Sequence, residues 1–378
     1  MLSSPDSDEP DVLDEETVAE IDASRMASVV DLASRGWGRT APNPMVGSEI
    51  FAGDEMVGSG YHREAGGRHA EIVALNEAGV QAAGATMYVS LEPCNHHGRT
   101  PPCTDAIIAA GISRVVAATR DPNPAAGGGA ERLRAAGIAV EFGCGEVEAR
   151  ELNAPFFNSF ESDRPWVTLK LALSLDGAIA GAERKREWLT GPPARRYVQY
   201  MRAGTDAIAV GIETAIADDP ELTAKGTDQN PVPRVPPVRI VFDTSARLSS
   251  QSRLVQTARD IPTLLVTAAT TKMPAGLASA GVEALPAKDI GDALRKLRLR
   301  GITSLLVEGG AGLAAAFLAG DFVDRLVIFQ APLILGQGAL GAFSGIASQT
   351  VERAPRFRVI RSHQLVDDIM TIYAMGRV

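Results

Sequence analysis

Short apolar runs alternate with segments of helical period along the chain, and one break, between Ala154 and Pro165, interrupts the pattern. Strand and helix signals in strict succession lead to helices packed on a sheet, so the expected class is α/β on both sides of the break. Before it, strands are expected at Met45–Phe51 and Met56–Gly60 around the turn Ala52-Gly53-Asp54, then at Ala85–Leu91, Arg114–Thr119 and Ile138–Phe142. Helices are expected near Met26–Ala33, with Gly36 as the stop, and at Ala70–Ala78, Thr104–Ala110 and Leu133–Ala136. After it, strand candidates are Trp166–Leu173, Ile208–Gly211, Val238–Phe242, Thr263–Thr267, Ser304–Val307 and Arg325–Gln330. A chain of 378 residues exceeds one ordinary core. The expected division is an acidic, disordered tail over 1–21, a first domain over 22–160 and a second over 161–378.

Composition narrows the function classes. A formal net charge of −9 argues against a nucleic-acid partner. Every apolar run is shorter than a membrane span, and the acidic stretch Met1–Glu20 does not read as a signal peptide. Three cysteines, at 94, 103 and 144, do not make a disulfide framework, and a reducing cytoplasm is the expected compartment.

In such a compartment clustered cysteines point to metal. His69-Ala70-Glu71 is followed by Glu92-Pro93-Cys94 and Pro102-Cys103. One imidazole and two thiolates suit zinc and leave a fourth position open. Zinc lowers the pKa of a bound water, and a carboxylate such as Glu71 can take its proton and pass it to a leaving amine. His-x-Glu with a later Pro-Cys and second Cys is the pattern of zinc deaminases. Residues two apart inside a helix diverge, so His69 and Glu71 face one metal only if His69 lies at or before the helix start. A helix N-terminus at Cys103 favours a thiolate there. A closed structural zinc with His96 or His97 as fourth ligand stays open on these grounds, and Cys144 reads as a core residue.

Eight residues separate the two cysteines instead of two. The stretch Asn95-His96-His97-Gly98-Arg99-Thr100-Pro101-Pro102, together with Pro42-Asn43-Pro44-Met45-Val46-Gly47 and Gly60-Tyr61-His62, closely resembles the bifunctional deaminase/reductase family of riboflavin biosynthesis. The second half resembles its reductase domain at Lys170–Gly177, Trp188-Leu189-Thr190-Gly191, Ala217–Pro220 with Leu222-Thr223, and Val307-Glu308-Gly309-Gly310. Unaided, that half reads only as α/β, and Glu308–Gly312 as a strand-to-helix turn able to cradle phosphate.

The resemblance implies a cytidine-deaminase-like α/β/α sandwich followed by a dihydrofolate-reductase-like α/β domain. It implies zinc on His69, Cys94 and Cys103 with Glu71 moving the proton, and NADPH in the second half. By position, Asn43, His96, Arg99, Arg186, Arg202, Leu222, Lys225 and Glu308 match substrate contacts. Leu173, Trp188, Thr214, Asp218, Thr244 and the run Gly310, Ala311, Gly312, Leu313, Ala314, Ala315, Ala316 match cofactor contacts. The sequence departs from the family at Arg68 (usually Pro), Ser48 (frequently Cys), Arg186 (often Ser) and Lys225 (commonly Arg); a lysine there offers phosphate a point charge where arginine offers a planar fork. The implied partner is a small phosphorylated pyrimidine, with no nucleic acid or membrane, and the family suggests a homo-oligomer. The alternatives are a deaminase of another base with an inactive or unrelated second domain, and a zinc-stabilised binding protein without catalysis.

Overall fold

The computed structural model describes residues 14–97, 101–185, 187–226, 235–347 and 349–375. Two compact units divide the chain. One holds residues up to Gly36 and Asn43–Ala154; the other holds Trp37–Pro42 and Pro155–Val378.

The first unit opens with α1, Glu15–Ser34. Asp14 caps it, accepting the Thr17 N–H at 2.8 Å, and Glu15 and Glu16 sit in the first turn, where the helix dipole favours acid. The expected tail therefore ends sooner than residue 21: the acidic composition that reads as disorder is also a good helix start. Residues 1–13 lie outside the described residues. Strands β1 (Gly47–Ala52), β2 (Glu55–Tyr61), β3 (Thr86–Val89), β4 (Arg114–Ala117) and β5 (Ala139–Phe142) form a sheet in the order β2-β1-β3-β4-β5. β1 runs antiparallel to β2 and β3, and β3, β4 and β5 run parallel.

Helices cover both faces. Met26 and Val29 of α1 pack with Tyr88, Val116 and Ala149 on one. On the other, α2 (Ala70–Ala78) and α3 (Cys103–Ala110) bring Ala74, Ala78 and Ile107 against Ile50, Met87, Val89 and Val115. Close approach of α2 depends on glycine: a Cβ on Gly60 would lie 2.5 Å from the Ala70 carbonyl oxygen, and one on Gly58 2.3 Å from that of Ala74.

The second unit begins before its first strand. Residues Ala154–Glu161 form a helix, so residues 155–160, which the sequence reading joined to the first domain, group with the second unit. Pro155 sits in the helix's first turn, where its missing N–H costs nothing, and Phe156 packs edge-to-face on Phe157 and Phe160. Strands β6 (Trp166–Leu173), β7 (Ala178–Ala180), β8 (Ala207–Gly211), β9 (Val238–Phe242), β10 (Thr263–Ala268), β11 (Glu283–Ala287), β12 (Ser304–Val307), β13 (Arg325–Gln330), β14 (Leu340–Gly341), β15 (Phe357–Leu365) and β16 (Asp368–Met375) follow. Nine of them form one sheet, β11-β10-β9-β8-β12-β6-β13-β16-β15, and β7 pairs with β14.

The interior strand β6 alternates cleanly. Val167, Leu169, Leu171 and Leu173 enter the main core, which leaves Lys170 on the opposite face. There Ala194, Tyr197 and Val198 of the helix Pro192–Ala203 pack on Val327, Phe329 and Met370. The hairpin β15–β16 had no signal in the sequence, because Arg358, Arg361 and His363 interrupt the apolar pattern of an exposed outer strand. Among the described residues, no helix is long and apolar enough to cross a membrane.

Candidate active sites

In the first unit the chain brings His69, Cys94 and Cys103 together. Their ligand atoms lie within 4.8 Å of one another. His69 Nδ1 stands 3.2 Å from Cys103 Sγ and 3.6 Å from Cys94 Sγ, and the Cys103 backbone N–H reaches Cys94 Sγ at 3.4 Å. His69 is the residue before α2, with extended backbone (φ −68°, ψ 154°), while Glu71 occupies the first turn. That break in conformation lets two residues two apart share one site. Cys103 is the first residue of α3.

The donor set suits zinc. Hydrogen bonding from Cys103, reinforced by His69, holds the Cys94 thiol well below its usual range, and the same pairing pushes Cys103 up. Burial, and then the Cys94 charge, pushes the Glu71 carboxyl up. A carboxyl raised in this way holds and releases a proton nearer neutrality.

The surrounding residues are placed with a defined hydrogen-bond sense. His62 is buried, burial holds its imidazole below the usual value, and the ring nitrogen that faces a carbonyl oxygen must carry a proton to bond it. With that proton on Nδ1 it donates to the Arg68 carbonyl at 3.1 Å, and Nε2 accepts from the Asn43 amide at 3.3 Å. Sequence reasoning counted Asn43 as a candidate and missed His62, although His62 stands in a motif it quoted. His96 is exposed next to the cluster in sequence. Arg99 and Arg186 lie outside the described residues.

In the second unit a cleft of about 1530 Å³ opens. It is lined by Trp188, Arg202, Thr214, Asp218, Leu222, Lys225, Thr244, Glu308 and the turn Gly310–Leu313 with Ala316. Leu173, Ala314 and Ala315 instead belong to the packed interior. Gly310 precedes the helix Ala311–Ala319 and donates its N–H to Thr214 Oγ1 at 3.0 Å. A Cβ on Gly310 would stand 3.0 Å from that same oxygen, closer than ordinary van der Waals contact, so a side chain there would press on Thr214. A long cleft with a glycine turn at a helix N-terminus fits a phosphate-bearing dinucleotide.

Arg202 grips Glu308 through Nε–Oε1 at 2.6 Å and Nη2–Oε2 at 3.0 Å, and its Nη1 reaches the Thr223 carbonyl at 3.1 Å. Leu222 holds a left-handed backbone (φ 51°) one residue before that carbonyl, a conformation costing about 1 kcal/mol for a residue with a Cβ. Burial pushes Glu308 up, but Arg202 and then Lys170 outweigh it and keep the carboxyl below its usual value. Lys170, absent from the expected set, lines the same cleft, and burial lowers its ammonium. The signal for it was a lysine amid the apolar alternation of β6. Lys225 pairs with Glu221 at 3.3 Å.

Comparison with known proteins covers both units. The family model described as "Cytidine and deoxycytidylate deaminase zinc-binding region" matches residues 19–119, and the one described as "RibD C-terminal domain" matches residues 165–371. The riboflavin biosynthesis protein RibD of Aquifex aeolicus is 41% identical over 361 residues, covering 94% of this chain and 99% of its own. That of Escherichia coli is 41% identical over 351 residues, covering 88% and 94%. Among solved structures, RibD of Acinetobacter baumannii superposes with a TM-score of 0.84 at 36% identity, covering 95% of this chain and 100% of that one. A diaminohydroxyphosphoribosylaminopyrimidine deaminase/5-amino-6-(5-phosphoribosylamino)uracil reductase of Thermotoga maritima does so at 0.83 and 34%, covering 95% and 99%.

Proposed function

From the premise that the chain belongs to the RibD family of bifunctional riboflavin-biosynthesis enzymes, we propose which of its residues carry the two reactions. The enzyme is a zinc-dependent pyrimidine deaminase and an NADPH-dependent reductase. It deaminates 2,5-diamino-6-ribosylamino-4(3H)-pyrimidinone 5′-phosphate and then reduces the ribosyl side chain to ribityl. Its halves carry the cytidine-deaminase-like and dihydrofolate-reductase-like folds of that family. Kinship over both halves removes the ground for a deaminase with an unrelated partner domain or a non-catalytic zinc protein.

The observation that carries the assignment is the convergence of His69, Cys94 and Cys103 beside buried Glu71. In our reading those three would hold zinc, which would supply a water of lowered pKa. Glu71 accepts that water's proton and delivers it to the departing amine, which leaves as ammonia. Asn43, its amide oriented by His62, meets the pyrimidine edge with a donor and an acceptor. From their family positions, His96 and Arg99 would contact the rest of the phosphorylated substrate, a guanidinium being suited to phosphate.

In the second half bound NADPH would supply hydride chemistry for reduction of the aminouracil's sugar C1′. Trp188, Thr214, Asp218, Thr244 and the backbone of Gly310–Leu313 with Ala316 line its place, with Leu173, Ala314 and Ala315 supporting from the core. Arg202, Leu222, Lys225, Glu308 and, from its family position, Arg186 hold the substrate. Deamination belongs to the first unit and reduction to the second. We further read the protein as a cytoplasmic homo-oligomer that engages neither nucleic acid nor membrane.

Ammonia release from the ribosylaminopyrimidine phosphate, measured with and without chelator, tests the deaminase assignment. NADPH absorbance, followed after deaminated substrate is supplied, tests the second half separately. Chelator should stop the first signal and leave the second; chelator-insensitive ammonia release would remove His69, Cys94 and Cys103 from the reaction.

A further inference from the structure

The turn that carries Cys94 is held by a segment that supplies no ligand. Glu92 is 5% exposed, and its carboxylate makes no ion pair among the described residues. Its partners are two backbone N–H groups: Asp121 donates to Oε2 at 3.3 Å and Ala130 to Oε1 at 3.0 Å. A carboxylate withdrawn from water keeps its place only where donors replace the lost hydration, and both come from the segment that follows β4, Asp121 from its loop and Ala130 from the first turn of the helix Gly129–Ala135.

That segment also holds the two neighbouring residues. Asn95 donates its backbone N–H to Ala126 O at 3.0 Å. Gly129 lies so near Pro93 that a Cβ there would stand 1.9 Å from the Pro93 carbonyl oxygen. Glu92, Pro93 and Asn95 are therefore each fixed by the segment 121–130, with Cys94 among them. From the other side, α3 donates Thr104 N–H to Cys94 O at 3.3 Å and Thr104 Oγ1–H to Asn95 Oδ1 at 3.2 Å. Cys94 has little freedom left except its own side-chain rotation.

We propose that Glu92 is a positioning residue for the metal site: its carboxylate, clasping Asp121 and Ala130, sets the Cys94 thiolate at the spacing from His69 and Cys103 that zinc requires. The proposal rests on the deaminase reading above. Its physical basis is that buried groups supporting metal ligands restrict the conformations open to the ligand set, and losing one weakens metal binding by roughly 10- to 100-fold. Both oxygens of Glu92 accept, so an amide cannot replace the carboxylate: one N–H donor would face an NH₂.

The test uses the full-length protein and zinc itself. Zinc affinity of Glu92→Gln is measured by competition with a chromophoric chelator, beside wild type and Val140→Ala, a core truncation on β5 far in sequence from the ligands. Glu92→Gln should bind zinc about 10- to 100-fold more weakly, alter the visible spectrum of the cobalt-substituted protein, and regain deaminase turnover as zinc is raised. Val140→Ala should lose thermal stability and keep wild-type zinc affinity. Wild-type affinity in Glu92→Gln overturns the proposal, and so does an equal weakening in Val140→Ala, which would make the effect one of general stability. If Glu92→Gln does not fold, Glu92→Asp, which keeps the charge and withdraws it by one methylene, is measured in its place with the same expectation. Failure of both to fold places the carboxylate's role in the fold and equally overturns the proposal. A wild-type protein without zinc affinity would sink the deaminase reading itself.

Discussion

Arg202 and Glu308 meet as two parallel hydrogen bonds, 2.6 and 3.0 Å, with side chains only 16% and 10% exposed. The arginine comes from the helix Pro192–Ala203 and the glutamate from the residue that follows β12. Coplanar forks of this kind keep a carboxylate ionised where burial alone would protonate it.

Removing the arginine leaves that buried carboxylate without its hydrogen-bonded counter-charge, with only the Lys170 ammonium to offset it. Arg202→Met should cost about 3 kcal/mol of stability and abolish NADPH oxidation, with zinc-dependent ammonia release retained. Arg202→Met/Glu308→Leu should regain stability without regaining reduction. Urea unfolding and the two activity assays check both; reduction by the double variant would take Arg202 and Glu308 out of the site.

Glu71→Gln keeps the shape of the side chain and removes its capacity to accept a proton. Ammonia release should fall by about 10²- to 10⁴-fold, while metal analysis finds wild-type zinc and supplied aminouracil is reduced at the normal rate. Normal deamination would assign the proton transfer elsewhere.

Gly310→Val places a branched side chain against Thr214 Oγ1, 3.0 Å from the first added carbon. NADPH binding, followed by fluorescence titration, should weaken by about tenfold, equivalent to ~1.4 kcal/mol, and deamination should not change. Unaltered NADPH affinity would place the dinucleotide away from this turn.

Asp176 ties two loops: it accepts Ser174 Oγ–H at 2.5 Å and the N–H groups of Gly336 and Leu335 at 2.8 and 3.2 Å. Those bonds, the Ser174 hydroxyl first, hold its carboxyl down to about 2 from a usual 3.8. A depressed acid stabilises the fold fully above its unfolded value and loses that contribution as pH falls through the folded one. The stability difference between wild type and Asp176→Asn should therefore be constant above about pH 4, shrink below it, and vanish near pH 2. Unfolding midpoints taken across that range check it; a difference independent of pH would assign the loop contact to packing.

Much of this was legible in the chain. Period alone located β6, β9, β12, β13 and α2, because their apolar positions face a core and repeat at the spacing of the element. The metal triad was legible because thiolate and imidazole chemistry restricts which residue types can serve, and the need for His69 to precede its helix followed from helix geometry. Other features carried no local signal. The hairpin β15–β16 depends on a long-range pairing with β13, and an exposed outer strand needs no apolar pattern.

What the sequence determined by itself was the family, the two α/β halves and the grouping of His69, Cys94 and Cys103 as one candidate metal site. Only the tertiary structure decided how those ligands are supported. Glu92 meets Asp121 and Ala130, His62 turns Asn43, and Lys170 stands in the cleft with Glu308. The reason is physical: a backbone N–H is the same group at every position, and a buried charge acquires its meaning from the neighbours that folding brings to it.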